Sequence, residues 1–199
     1  HYSAILSPEN LLIAVDLGLD SVFAHAIDST TGRVSEISCF SLKTAPGAGP
    51  RHLAVLSNSN TAYLYCELND ELYHLQIKAG EIACIGKVQA FAQYRSRGSA
   101  GAAIKISPDE RHLYVSGRTQ SSIDCFAIDP TSKQLMPLEC VGTGGDSPRD
   151  FAITPDGSHV VVANEFSNSL TSLRRDADSG LLQHTGNTVS VGSPVCILF

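Results

Sequence analysis

The sequence predicts an all-β chain: a β-propeller of four consecutive four-stranded blades plus one closing strand, itself part of a larger closed ring. Three observations predict it. The 199 residues repeat four times at a period near 50. Each repeat is built of short apolar or alternating runs separated by Pro, Asp, Asn and Gly turns. Helical 3.6-residue periodicity is absent throughout.

The four units are expected over roughly residues 1–46, 47–92, 93–144 and 145–190. Their turn residues Ser7, Ser57, Ser107 and Thr154 are 50, 50 and 47 apart. In each unit a short apolar strand ends at a Ser/Thr-Pro-Asp-like turn. A second strand follows, HLYVSG or HVVVAN being the clearest cases. A polar corner leads to an alternating third strand such as SIDCFAID, and an Asp-x-x-x-Gly-like turn leads to a more polar fourth. Four strands at this period are the signature of propeller blades. The last segment, SPVCILF over 193–199, matches the first strand of a blade and has no second strand after it. It is therefore expected to close a ring whose N-terminal blades lie outside these residues. The chain begins at His1 without an initiator Met, so any targeting signal is expected to lie outside it too.

Composition narrows the function. Hydrophobic residues are 43% and charged residues 17%, as in ordinary globular domains. No apolar run approaches the ~18 residues of a membrane-spanning helix, so no membrane partner is expected. The net charge of −6 argues against nucleic acid, which selects a basic face. Arg174-Arg175 reads as a solvated strand end. Cys39, Cys66, Cys125 and Cys196 fall in strand-like runs and Cys84 and Cys140 elsewhere, with no C-x-x-C pair. They read as scattered core thiols of a reducing, cytoplasmic compartment. No zinc-type ligand spacing, phosphate loop, dinucleotide fingerprint or G-x-S-x-G elbow is present, so no cofactor or metal is expected.

Strand alternation places two sets of residues at one end of the blades. Pro50-Arg51-His52, Pro148-Arg149-Asp150 and Ser193-Pro194 enter the first strands. Asp16, Glu67, Arg118 and Asn164-Glu165 end the second strands, nine to eleven residues after each Ser/Thr turn. Arginines, a histidine and carboxylates thus collect on one face. The opposite face, with His112 and His159, offers less varied chemistry. Hydrolytic attack on an anionic substrate needs a base for water, donors for a developing oxyanion, and cationic anchors. The first face supplies all three.

The ordered set GAGPRHLAV, the CEL corner, SPDERHLYVSGRT, DSPRDFAITPDG and SPVCILF resembles the lactonase-type seven-bladed propeller family. That family includes 6-phosphogluconolactonases and carboxymuconate-lactonizing enzymes. The resemblance covers essentially the whole chain and implies the last four of seven blades. It implies a lactonase acting on a small anionic lactone, 6-phosphogluconolactone first among the candidates. It also implies catalytic roles for Glu67 as base or proton donor and for Arg51 and Arg118 as anion and carbonyl ligands. A functional histidine of the family falls at Tyr2, with His1 one residue earlier. A one-residue slip on a strand reverses the side chain, which argues against muconate-type chemistry.

Arg149, Asp16, Glu165, Asn164, His52 and Arg97 complete the candidate substrate-binding set. Each has a plainer reading beside it. Arg51 and Arg149 can tie adjacent blades through corner carboxylates, and Glu67 can simply pair with Arg51 or Arg118. Asp16 can cap a turn. His52, next to Arg51 on a strand, should point the opposite way and pack between blades. The connection FAQYRSRGSAGA over 91–102 is rich in small residues and reads as a mobile loop, in which Tyr94, Arg95 and Arg97 form a lid or a phosphate site or are simply solvated. A non-catalytic binding module is the competing function, disfavoured by 7% aromatics and no Trp. A carboxymuconate-type cycloisomerase is the third.

Overall fold

The computed structural model describes residues 1–6, 10–35, 40–57, 59–78 and 81–199, the side chains of 95–97 excepted. Ser7 and Cys39 lie outside the described residues, as do the side chains of Arg95 and Arg97. Sixteen described strands form four antiparallel sheets, each a four-strand meander in chain order. The first holds β1 (Tyr2–Leu6), β2 (Leu11–Asp16), β3 (Ser21–Ala26) and β4 (Phe40–Lys43). The second holds β5 (Pro50–Val55), β6 (Thr61–Cys66), β7 (Glu71–Lys78) and β8 (Glu81–Gln89). The third holds β9 (Gly101–Ile106), β10 (His112–Gly117), β11 (Ser122–Ile128) and β12 (Leu135–Gly142). The fourth holds β13 (Pro148–Ile153), β14 (His159–Asn164), β15 (Ser169–Arg175) and β16 (Leu182–Ser190). Two compact units result, His1–Gln89 with the first two sheets and Ala90–Phe199 with the last two.

Within each unit the two sheets share a core. In the first, Ile13, Val15 and Val22 pack with Leu53, Leu64 and Leu75. In the second, Tyr114, Ile123 and Cys125 pack with Phe151, Val160, Val162 and Leu173. A fully buried aliphatic side chain contributes roughly 1.5–3 kcal/mol over leaving it exposed. Among second strands β10 is buried at every position and β6 at all but its first, while β2 and β14 keep half-buried positions. Fourth strands are largely solvated, as β16 shows, which explains their polar sequences.

Turn chemistry repeats with the sheets. Where the second strand turns into the third, Asp20, Asp70, Ser121 and Asn168 all adopt left-handed φ, between 49 and 55°. Asn and Asp tolerate this region better than other non-glycine residues. At the third-to-fourth turn, Asp28, Asp129 and Asp176 each accept two backbone N–H bonds from residues two and three ahead.

The partner of segment 193–199 is expected outside these residues, and two other sequence expectations need correction. The segment 193–199 forms no strand. Each sheet already has its four strands, and this segment finds no ladder here. Its Ile197 N–H donates instead to Asp150 Oδ2 at 2.9 Å, and Cys196 is exposed. The 91–102 connection is anchored rather than loose. Phe91 is buried, its N–H donates to Asp124 Oδ2 at 2.7 Å, residues 92–97 form a 3₁₀ turn, and Gly101 and Ala102 belong to β9. Arg175 is not a solvated strand end: its side chain is 1% exposed. Its guanidinium reaches Asp109, His112, the Tyr114 hydroxyl and the Gly157 carbonyl, so His112 belongs to a buried network between the third and fourth sheets. Among the described residues five cysteines are free thiols, and no helix is long and apolar enough to cross a membrane.

Candidate functional site

One device places the corner residue in three of the four sheets. The incoming connection is hydrogen-bonded to the corner after the second strand. Glu67 N donates to Gly49 O at 2.7 Å, Arg118 N to Ala100 O at 3.0 Å, and Glu165 N to Ser147 O at 2.9 Å. Glu67, Arg118 and Glu165 therefore occupy equivalent positions. Each is sixteen residues after the second residue of its sheet's first strand: Arg51, Ala102 and Arg149.

A β-bulge aims those first-strand residues. Pro50 pairs with Cys66 while His52 pairs with Tyr65, which leaves Arg51 as the extra residue. Pro148 and Asp150 bracket Arg149 in the same way. A bulge turns its side chain out of the regular alternation. Arg51 thereby reaches Glu67, Nε to Oε2 at 2.9 Å, with its side chain 6% exposed. Arg149 makes the looser copy, Nη1 to Oε2 of Glu165 at 3.2 Å, with its side chain 37% exposed. In the third sheet Ala102 replaces the arginine, and a cation takes the corner. Arg118, half-buried, leans on the Ala100 and Gly101 carbonyls at 3.3 and 3.4 Å.

The bulge also corrects the expectation for His52. Regular alternation would send it away from Arg51, yet Arg51 Nη1 is 2.9 Å from His52 Nε2 and 3.3 Å from Nδ1. A guanidinium carries no acceptor, so the ring nitrogen accepts. Tyr2 packs on the same imidazole with ring centroids 4.9 Å apart, and His1 lies at 6.2 Å. The first unit thus brings Arg51, His52, Glu67 and Tyr2 together.

Asp20 was not legible as part of this arrangement. Its carboxylate accepts Gly49 N–H at 2.9 Å and Gly47 N–H at 2.7 Å, fixing the connection that carries Arg51. Those backbone bonds hold its carboxyl below the usual aspartate value. Gly49 has φ 62°, and a Cβ there would lie 2.6 Å from Leu68 Cγ. In the sequence, Asp20, Asp70, Ser121 and Asn168 recur near the repeat period, which marks the position of Asp20 but not its role.

Other candidates fall elsewhere. Asp16 is the last residue of β2, one position before the Glu67-type corner, and its Oδ1 accepts Leu19 N–H at 3.0 Å. Asn164 is fully buried; its Nδ2 donates to Thr171 Oγ1 at 3.0 Å, and it packs on Gly145. It braces the fourth sheet and is not exposed beside Glu165. In the second unit a pocket of about 390 Å³ opens at the corners, lined by Ala100, Arg118, Thr119, Asp146, Ser147 and Phe166.

Known proteins give this geometry its context. The family model described as lactonase, 7-bladed beta-propeller, matches residues 1–199. A 6-phosphogluconolactonase of Bacillus subtilis is 36% identical over 201 residues, covering 100% of this chain and 56% of that protein. One of Formosa agariphila is 33% identical, covering 92% and 52%. Among solved structures, a Lactobacillus plantarum protein has a TM-score of 0.91 at 31% identity, covering 98% of this chain and 57% of that one. The periplasmic gluconolactonase PpgL of Pseudomonas aeruginosa has a TM-score of 0.89 at 31% identity, covering 98% and 55%. The chain spans about half the length of the curated relatives it matches. It belongs to the lactonase family of seven-bladed β-propellers, and its four sheets are blades of that fold.

Proposed function

We propose that this protein hydrolyses a sugar lactone, 6-phosphogluconolactone to 6-phosphogluconate, in the cytoplasm. The observation that carries the reading is the Arg51–Glu67 pair at a bulge, with its neighbour His52, in a chain whose relatives bear the name 6-phosphogluconolactonase. The free thiols support a reducing compartment. We further propose that more blades of the same protein complete the ring, a reading supported by the share of its relatives that the chain spans.

In this reading Glu67 takes a proton from the attacking water as a new C–O bond forms at the lactone carbonyl. Arg51 binds negative charge on the carbonyl oxygen as it becomes an oxyanion. The acyl–oxygen ring bond then breaks, and the departing alkoxide recovers the proton from Glu67. The carboxylic acid formed loses its own proton to solvent, so each turnover releases one proton. A positioned base contributes about 10²–10⁴-fold, and one donor to the oxyanion a comparable factor.

The substrate is tested by following proton release on the full chain with fresh 6-phosphogluconolactone and with unphosphorylated gluconolactone. The expected result is acceleration over the spontaneous rate, with a clear preference for the phosphorylated lactone. Equal rates on both would reject the phosphate preference. No acceleration on either would favour a binding module instead.

A further inference from the structure

We propose that the pocket at the corners of the third and fourth sheets binds the hydroxylated carbon chain of a sugar acid. The ligand's class rests on the lactonase reading; the pocket is defined by residues of the second unit alone. Its lining supplies what a polyhydroxylated anion requires: an apolar face, acceptors for hydroxyls and a cation.

Phe166 supplies the apolar face. It is 71% exposed, yet its backbone is held, its N–H donating to Asp146 O at 3.2 Å. A large aromatic ring kept at the surface on a fixed backbone is a platform for the C–H face of a sugar chain. Asp146 supplies the acceptors. Its Oδ1 is oriented by the Ser121 hydroxyl at 2.9 Å, and a carboxylate accepts from several hydroxyls at once. Arg118 supplies a planar donor fork suited to a carboxylate or phosphate.

Ser147 is the most telling residue. It is buried and left-handed, φ 58°, immediately before Pro148. The equivalent residue of the second sheet, before Pro50, is Gly49 at φ 62°. Glycine adopts this conformation without strain, whereas a serine is strained there. Ser193 before Pro194 is left-handed too, at φ 43°, so the conformation belongs to the connection, and what Ser147 adds is a hydroxyl in the pocket lining.

The test is calorimetric binding to the full chain of 6-phosphogluconate, gluconate and inorganic phosphate, with Phe166→Ala, Asp146→Asn and Ser147→Gly alongside. Each substitution is expected to weaken both sugar acids about 5-fold or more, the equivalent of ~1 kcal/mol, and to leave phosphate binding unchanged. Ser147→Gly relieves strain, so it should weaken binding without lowering Tm, which a purely structural role would not produce. Sugar acids that bind equally well to all variants, or not at all to the wild type, overturn the proposal. Lactone opening on the same preparations separates the two readings. Activity with unaltered sugar-acid affinity sinks only the pocket. Absent activity with lost affinity in the variants keeps the pocket and sinks the lactonase.

Discussion

Arg51 reaches Glu67 because one extra residue interrupts the pairing of β5 with β6. The residue types were legible in the sequence, since an arginine and a glutamate sixteen apart recur in the second and fourth repeats. The direction of His52 was not, because alternation assumes a regular ladder and a bulge leaves no signature in one sequence. Asp20 was missed for a related reason: it acts on the backbone of a connection 27 to 29 residues away. The connection itself is sharply constrained at Gly49. Gly49→Ala adds a Cβ at positive φ against Leu68, and a loss of roughly 1–3 kcal/mol in urea unfolding is expected. The same variant should lose activity, since Gly49 O also receives Glu67 N–H. Unchanged stability would mean that the connection yields freely, and that its fixed geometry does not position Glu67.

At the scale of elements, the third and fourth sheets are latched by Arg175 of β15. Its guanidinium donates to Asp109, His112, Tyr114 and Gly157, and the Tyr114 hydroxyl donates in turn to Gly180 O at 2.8 Å. The sequence hid this latch, because Arg174-Arg175 at the end of a polar strand looks solvated until the partner sheet is in place. Tyr114→Phe leaves a buried guanidinium N–H and a carbonyl without partners, and a cost of about 1–3 kcal/mol is expected. The latch also sets a pH dependence. Burial, and then the Arg175 charge, push His112 below its ordinary 6.5. The folded state thus binds its proton less readily than the unfolded chain, so this contribution is complete above pH 6.5 and declines as pH falls below it. Burial opposes ionisation of Asp109, but hydrogen bonds from Ser107 and Arg175 outweigh it and bring the carboxyl to about 2. Its contribution therefore persists until pH falls below about 3.8. Urea midpoints between pH 8 and 5 should fall for the wild type and fall less steeply in His112→Gln, where His74, also pushed below 6.5 by burial, keeps part of the slope. Parallel slopes would remove His112 from the account.

Over the whole molecule, the four-sheet organisation was legible because turn chemistry and strand burial repeat with the sequence period. The second strands β6 and β10 read as apolar and are buried, and the fourth strands β8 and β16 read as more polar and are largely solvated. Native-state amide exchange should show this gradient, slowest in β6 and β10 and fastest in β8 and β16. Uniform protection across each sheet would contradict it. The closing segment finds no ladder in these residues, which agrees with the expectation that its partner strand lies outside them. The lactonase chemistry rests on the Arg51–Glu67 pair and is tested by kcat for proton release from 6-phosphogluconolactone by the full chain. Wild type, Glu67→Gln and Arg51→Ala are compared, with folding checked by Tm. The account predicts a fall in kcat of about 10²-fold or more in Glu67→Gln, and a comparable loss of kcat/KM in Arg51→Ala. Wild-type rates in both folded variants would contradict it and move the chemistry to other residues.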